Sequence, residues 1–193
     1  MVKLDILAVG NLKRDEDGNI LQADSTSTLI RTEDRLIVVD TSSRFLRPAL
    51  KTSFRELGVF AKDVDTVVLT HSHDDHTGNL DMFPNAKVYL HEGCPEDLPF
   101  KYEVVKEDME LAEGVRLVHT PGHTPDSMSV FVKADRYYAV AGDAIPLEDN
   151  VRKRVPPRLN CDPDLAMQSI KSIVRFADVI VPGHGFPFMT KTR

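Results

Sequence analysis

The sequence has no tryptophan and only two cysteines, Cys94 and Cys161, in unrelated contexts. With no CxxC or Cys–His spacing around them, neither a disulfide framework nor a thiolate metal site is indicated, and both are read as reduced thiols. No apolar run is long enough to span a bilayer, and the opening MVKLDILAVG contains Asp5 and lacks the apolar core of a signal peptide. These absences point to a cytoplasmic protein with no membrane partner. Basic charge is also in deficit, with 24 Lys and Arg against 30 Asp and Glu. That balance disfavours nucleic acid as the main partner. What remains, 41% hydrophobic and 28% charged over 193 residues, suits one domain spanning 1–193.

Elements of two kinds alternate along the chain. Residues 2–9 read as a strand, and RDEDG (14–18) as a turn in a loop or hairpin. TLI (28–30) and RLIVVD (35–40) read as a hairpin across TEDR. Leu46, Leu50, Phe54 and Leu57 recur at helical spacing, and Gly58 can close that helix with a left-handed cap. DTVVLT (65–70), AKVYLH (86–91) and VRLVHT (115–120) are further strands, and SMSVFVK (127–133) with RYYAVAG (136–142) reads as a hairpin. Asp162 and Pro163 open a helix as N-cap and first helical residue, with Ala166, Ile170, Ile173, Val174 and Ala177 on one face. DVIVP (178–182) is read as the final buried strand. Alternation of this kind predicts an α/β layered fold without fixing its topology.

The chemistry is concentrated in THSHDDHTGNL (70–80), where three histidines and two aspartates occupy the six positions from His71 to His76. Five adjacent ionisable groups repel one another and add nothing to a core. Two other histidines stand where strands end beside glycine or proline: His123 in TPGHT and His184 in PGHG. A further strand, YYAVAG, ends at Asp143. Alone, a histidine at a strand end is a surface residue or one whose hydrogen bonds are satisfied, and His91 and His119 are read that way. In extended chain, residues i and i+2 face the same side, so His71 and His73 can reach one ion together while Asp75 and His76 reach a second point. Nitrogen and carboxylate donors without sulfur suit Zn²⁺, and equally Fe or Mn.

HSHDDH at 71–76, TPGHT at 120–124, GD at 142–143 and PGHG at 182–185 resemble, in form and order, the motifs of the metallo-β-lactamase superfamily, and VVDTS (38–42) is similar to its early aspartate element. The resemblance implies a four-layer αββα sandwich and two divalent ions, Zn²⁺ first among them. It assigns His71, His73 and His123 to one ion, Asp75, His76 and His184 to the other, and Asp143 to both. Asp40 would orient the site through hydrogen bonds, and Asp74 would point to solvent. A hydroxide shared by the ions would attack a carbonyl carbon or a phosphorus, with Asp143 and Asp75 as the catalytic carboxylates and Asp75 helping to move a proton.

Within the superfamily, the bridging Asp143 sets the chain apart from dedicated β-lactamases. Only residues 185–193 follow His184, which leaves no room for the helical substrate domain of glyoxalase II. DAIPLEDN lacks the tyrosine that homoserine lactonases usually carry after the aspartate. GNLDMFPNAKVYLHEG and ADVIVPGHGFPF look most like the compact branch typified by metallo-β-lactamase domain-containing protein 1. The expected activity is hydrolysis of a small ester, thioester or lactone. Alternatives are a phosphodiesterase or ribonuclease of the same fold and a non-hydrolytic iron dioxygenase. The loop VRKRVPPR (151–158) is read first as solvated surface and second as an attractor for an anionic substrate. The loop at 11–24 and residues 42–47 are the expected pocket walls.

Overall fold

The computed structural model describes residues 1–95 and 97–190. The chain enters as β1 (Lys3–Ala8), makes a hairpin of β2 (Asn11–Arg14) and β3 (Ile20–Asp24), and continues through β4 (Ser27–Arg31), β5 (Leu36–Val39) and α1 (Arg47–Glu56). β6 (Thr66–Val68), α2 (Asp74–Thr77), β7 (Lys87–His91), β8 (Glu103–Val105) and β9 (Met109–Ala112) follow. The rest is β10 (Val115–His119), β11 (Met128–Lys133), β12 (Tyr137–Gly142), α3 (Glu148–Arg152), α4 (Pro163–Phe176), β13 (Val179–Pro182) and β14 (Phe188–Met189). Two six-stranded sheets result, ordered β1-β4-β5-β6-β7-β8 and β14-β13-β12-β11-β10-β9. β5 through β8 run parallel, as do β12 and β13, and the other pairs within the two sheets are antiparallel.

The layers follow from the two-residue period of the strands. On β5, Ile37 and Val39 point between the sheets while Val38 points to α1; on β10, Leu117 faces inward and Val118 outward. Three cores are built in this way: one between the sheets, one under α1 with Leu50 and Phe54, and one under α4 with Ile170 and Ile173. Each fully buried side chain of this kind contributes roughly 1.5–3 kcal/mol. Helix, sheet, sheet, helix is therefore the stacking order, as expected for the αββα sandwich.

Local chemistry sets the element ends. Thr32 N–H bonds to Arg35 O and Arg35 N–H to Thr32 Oγ1, both at 3.0 Å, which closes the β4–β5 turn. Gly58, at φ 65°, takes the left-handed position after α1. The Asp162 side chain accepts from Asp164 N and Leu165 N at the start of α4. One expectation is corrected: β13 is not the last strand, because β14 pairs antiparallel with it, Ile180 opposite Phe188. β14 is two residues long and Pro187 precedes it, so it carries no alternation to read. No helix among the described residues is long and apolar enough to cross a membrane.

Candidate metal centre

All seven expected site residues meet where strands end, in loops that the two sheets hold rigid. His71, His73, Asp75 and His76 come from the segment after β6, His123 follows β10, Asp143 follows β12, and His184 follows β13. Their donor atoms form three overlapping groups: His71, His73 and His123; His71, His76 and Asp143; and Asp75, His76 and His184. Within each group the donor atoms lie within 4.8 Å of one another. Asp74 is exposed and outside these groups, as expected.

Hydrogen bonds fix which nitrogen four of the five imidazoles present. His76 Nδ1 lies 2.8 Å from Asp40 Oδ2, His184 Nδ1 2.8 Å from Asp24 O, and His123 Nδ1 2.8 Å from Leu159 O. Carboxylates and carbonyls only accept, so each Nδ1 carries the proton and each Nε2 lone pair is left facing the centre. Thr70 Oγ1 donates to Asp40 Oδ2 at 2.8 Å and is left to accept from His71 Nδ1 at 3.2 Å, so His71 also presents Nε2. That nitrogen lies 2.9 Å from His73 Nδ1, which lies 3.3 Å from His123 Nε2. Three ring nitrogens thus converge on one point. Nitrogens held about 2.0–2.1 Å from one tetrahedral ion stand about 3.3 Å apart, so the three fit a single cation.

The second half is arranged around Asp143. Its Oδ1 is 3.2 Å from His184 Nε2 and 3.5 Å from His76 Nε2, while Oδ2 is 3.6 Å from His123 Nε2. Asp75 Oδ2 stands 3.7 Å from both His76 Nε2 and His184 Nε2. His184 Nε2 also meets Asp143 Oδ2 at 3.4 Å in hydrogen-bond geometry, whereas His76 Nε2 and Asp143 Oδ1 are buried without a hydrogen-bond partner among the described residues. Buried polar atoms left unsatisfied cost about 1–3 kcal/mol each, which a cation would relieve. The residues therefore fit divalent ions on geometry, orphaned atoms and donor type.

Electrostatics point the same way. Burial and the neighbouring His76 hold the His71 imidazole well below its ordinary range, and burial with His123 lowers His73. Burial alone would also lower His76, but the Asp40 carboxylate and Asp143 raise it well above the usual imidazole range. His184 is raised against its burial by Asp143. Burial would raise Asp143, yet His184 and His76 hold it well below the carboxylate range, so it remains an anion.

Several positioning residues carried no sequence signal. Asn79 is fully buried, and its Nδ2 donates to Thr41 O at 2.8 Å and Ser43 O at 2.7 Å, clamping the loop after Asp40. Asp40 and Ser42 take left-handed φ angles of 55° and 58°, strain of the sort found beside functional sites. The acceptors at Asp24 and Leu159 are main-chain carbonyls, which any residue supplies. Thr70 and Asp126 are likewise buried and polar. His91 and His119 lie outside the donor groups and stack on each other, centroids 3.8 Å apart.

A groove of about 820 Å³ opens beside Asp75, lined by Ala23, Ser43, Arg44, Asp74, Leu80 and Phe100 among others. It joins β3 to the segment after β5, the walls expected at 11–24 and 42–47. A larger hollow of about 1310 Å³, lined by Lys3, Glu113, Phe131 and Tyr138 among others, contains none of the seven site residues. In the basic loop, Arg152 pairs with Glu148 at 2.7 Å and Lys153 with Asp149 at 2.6 Å, while Arg158 donates to Asp17 O at 3.3 Å. Much of that positive charge is therefore already engaged.

A family model described as the metallo-beta-lactamase superfamily matches residues 22–112. A Methanocaldococcus jannaschii protein named a probable metallo-hydrolase is 37% identical over 185 residues, covering 95% of this chain and 87% of its own length. Metallo-beta-lactamase domain-containing protein 1 of Xenopus laevis is 35% identical over 185 residues, covering 91% of this chain and 76% of its own. Among solved structures, a mutant of Bacillus thuringiensis AiiA with N-decanoyl-L-homoserine at its active site is similar in fold, with a TM-score of 0.76 and 23% identity over 94% of this chain and 92% of that one.

Proposed function

The chain belongs to the metallo-beta-lactamase superfamily and is a metal-dependent hydrolase, and on that premise we propose that it works as a dinuclear enzyme on a small ester, thioester or lactone. One observation supports the dinuclear reading: the Asp143 carboxylate stands between two sets of imidazoles, with His76 and His184 Nε2 3.5 and 3.2 Å from Oδ1, and His123 and His184 Nε2 3.6 and 3.4 Å from Oδ2. His71, His73 and His123 would hold one ion, Asp75, His76 and His184 the other, and Asp143 would join them. Zn²⁺ suits this set, as do Fe and Mn. Two such cations, when bound, lower the pKa of water toward neutrality and polarise the bond to be cleaved.

The chain's own groups do the rest. The Nδ1–H bonds to Asp40, Asp24 and Leu159 keep the rings from rotating, so the donor array is ready before substrate arrives. The Asp75 side chain is 20% exposed and lines the groove, so it has the access needed to move a proton to the leaving group. The groove takes the substrate's non-reacting part. N-acyl homoserine lactonase of Bacillus thuringiensis, 28% identical over 134 residues, supports a lactone or related ester. The paired cations of the 148–153 segment argue against a polyanionic substrate such as RNA.

Metal analysis of the purified chain, combined with thioester, lactone and bis-aryl phosphate substrates, tests this. The expected result is close to two ions per chain and turnover of thioester or lactone. Phosphodiester turnover with little ester activity would shift the assignment to a phosphodiesterase. One iron per chain with thiol-dependent oxygen uptake would make it a dioxygenase. The double variant His71→Ala, His73→Ala should lose metal; unchanged content would overturn the ligand assignment.

A further inference from the structure

Resting on the metal reading above, we propose that Asp126 is a positioning residue for the three-histidine half of the centre, clipping the His71–His73 segment of the first sheet to the His123 loop of the second. Asp126 stands three residues after His123 and is 2% exposed. Its Oδ2 accepts the Ser72 N–H at 3.1 Å. Ser72 is the residue between His71 and His73, so the direction of that amide sets the peptide planes from which both imidazoles project.

The clip continues a pattern. Two residues along each chain, Met128 N–H donates to Thr70 O at 2.8 Å. Thr70 facing Met128 and Ser72 facing Asp126 follow the two-residue spacing of an antiparallel ladder, although neither pair belongs to the strand pairing of either sheet. At the second step a side-chain carboxylate takes the place of the main-chain carbonyl. The ladder therefore extends to the ligand pair although the backbone has turned away toward His123.

The turn that carries Asp126 is held from the other side. His119 Nε2 donates to Pro125 O at 2.9 Å, and the His119 ring stacks on His91 at an interplanar angle of 9°. Gly93 packs so closely that a Cβ there would come 2.9 Å from Pro125 O. A buried carboxylate is costly, and among the described residues no Lys or Arg forms an ion pair with Asp126. Its partner is the one amide that aims two ligands.

Cobalt(II) titrated into the metal-free full chain, followed by visible absorption, tests the proposal. His184→Ala, which leaves the three-histidine group intact, supplies the reference spectrum of that half. In Asp126→Ala, that band should need about ten- to a hundred-fold more cobalt, while the band of the other half is unchanged. Asp126→Asn, which retains an acceptor, should restore the wild-type titration. Equal titration of wild type and Asp126→Ala would overturn the inference and leave the metal reading standing. So would both bands weakening together in the Ala and Asn variants alike, the mark of general loosening. A wild-type chain that takes up no cobalt would remove both. The metal-free wild type gives a check that does not depend on the variant folding: the Ser72 amide should exchange with solvent more slowly than a free amide, and unprotected exchange would sink the clip.

Discussion

At the scale of the residue, the centre is a set of imidazoles whose proton positions are decided by their neighbours. Without metal, Asp40 and Asp143 hold a proton on His76 well above the ordinary imidazole range, and Asp143 raises His184. An ion must displace those protons, so affinity should rise with pH until the raised values are passed and should fall as pH drops. Calorimetry at neutral pH in two buffers of different ionisation enthalpy should reveal protons released on metal uptake. A second prediction concerns Gly183, where an added Cβ would lie 1.9 Å from Asp143 Oδ1. Gly183→Ala should push the carboxylate off its place and lower metal affinity about ten- to a hundred-fold; competition with a chromophoric chelator measures it. The proposed ligands were legible because a folded chain seldom crowds so much charge except around a cation, and all seven expected positions meet. Of their orienting partners, Asp40 was legible through VVDTS, and the others were not. A carbonyl at Asp24 or Leu159 leaves no mark on sequence, and Asn79 and Asp126 become informative only when burial is known.

At the scale of the element, the central strands of both sheets declared themselves, and of the four edge strands only β1 did. β5 (LIVV) and β6 (TVV) are short apolar runs, β10 (VRLVH) and β11 (MSVFVK) keep several buried apolar positions, and each was readable. β8 and β9 are three and four residues long and interspersed with Glu, so no period could emerge. The α4 helix was legible at its start because Asp162 and Pro163 are chemical signals. Removing that cap in Asp162→Ala should cost about 1 kcal/mol in urea unfolding. Metal content should hold, because Cys161 N–H still ties the helix entrance to Gly122 O at 2.8 Å. Truncating Ile173, fully buried under α4, should cost about 2–5 kcal/mol in the same measurement.

At the scale of the whole molecule, the topology was illegible because the two-residue period is the same in parallel and antiparallel strands. The structure divides the chain once: β1 and β4 through β8 make one sheet, and β9 through β14 make the other. The donors divide likewise, four before residue 77 and three after residue 122. Bound ions would join the sheets, so they should stabilise the molecule by mass action. At free metal a hundred times Kd, one site adds about 2.7 kcal/mol. Adding a strong chelator should lower the midpoint of thermal unfolding, and an unchanged midpoint would show that the ions bear no load. The same division fixes an order of events during synthesis. The first sheet can pair while the second is still being made, and it carries four donors that cannot close a site alone. His184 arrives last, on the turn between β13 and β14. Under the proposed assignment, then, the donor set is incomplete until β13 and the turn after it have been made.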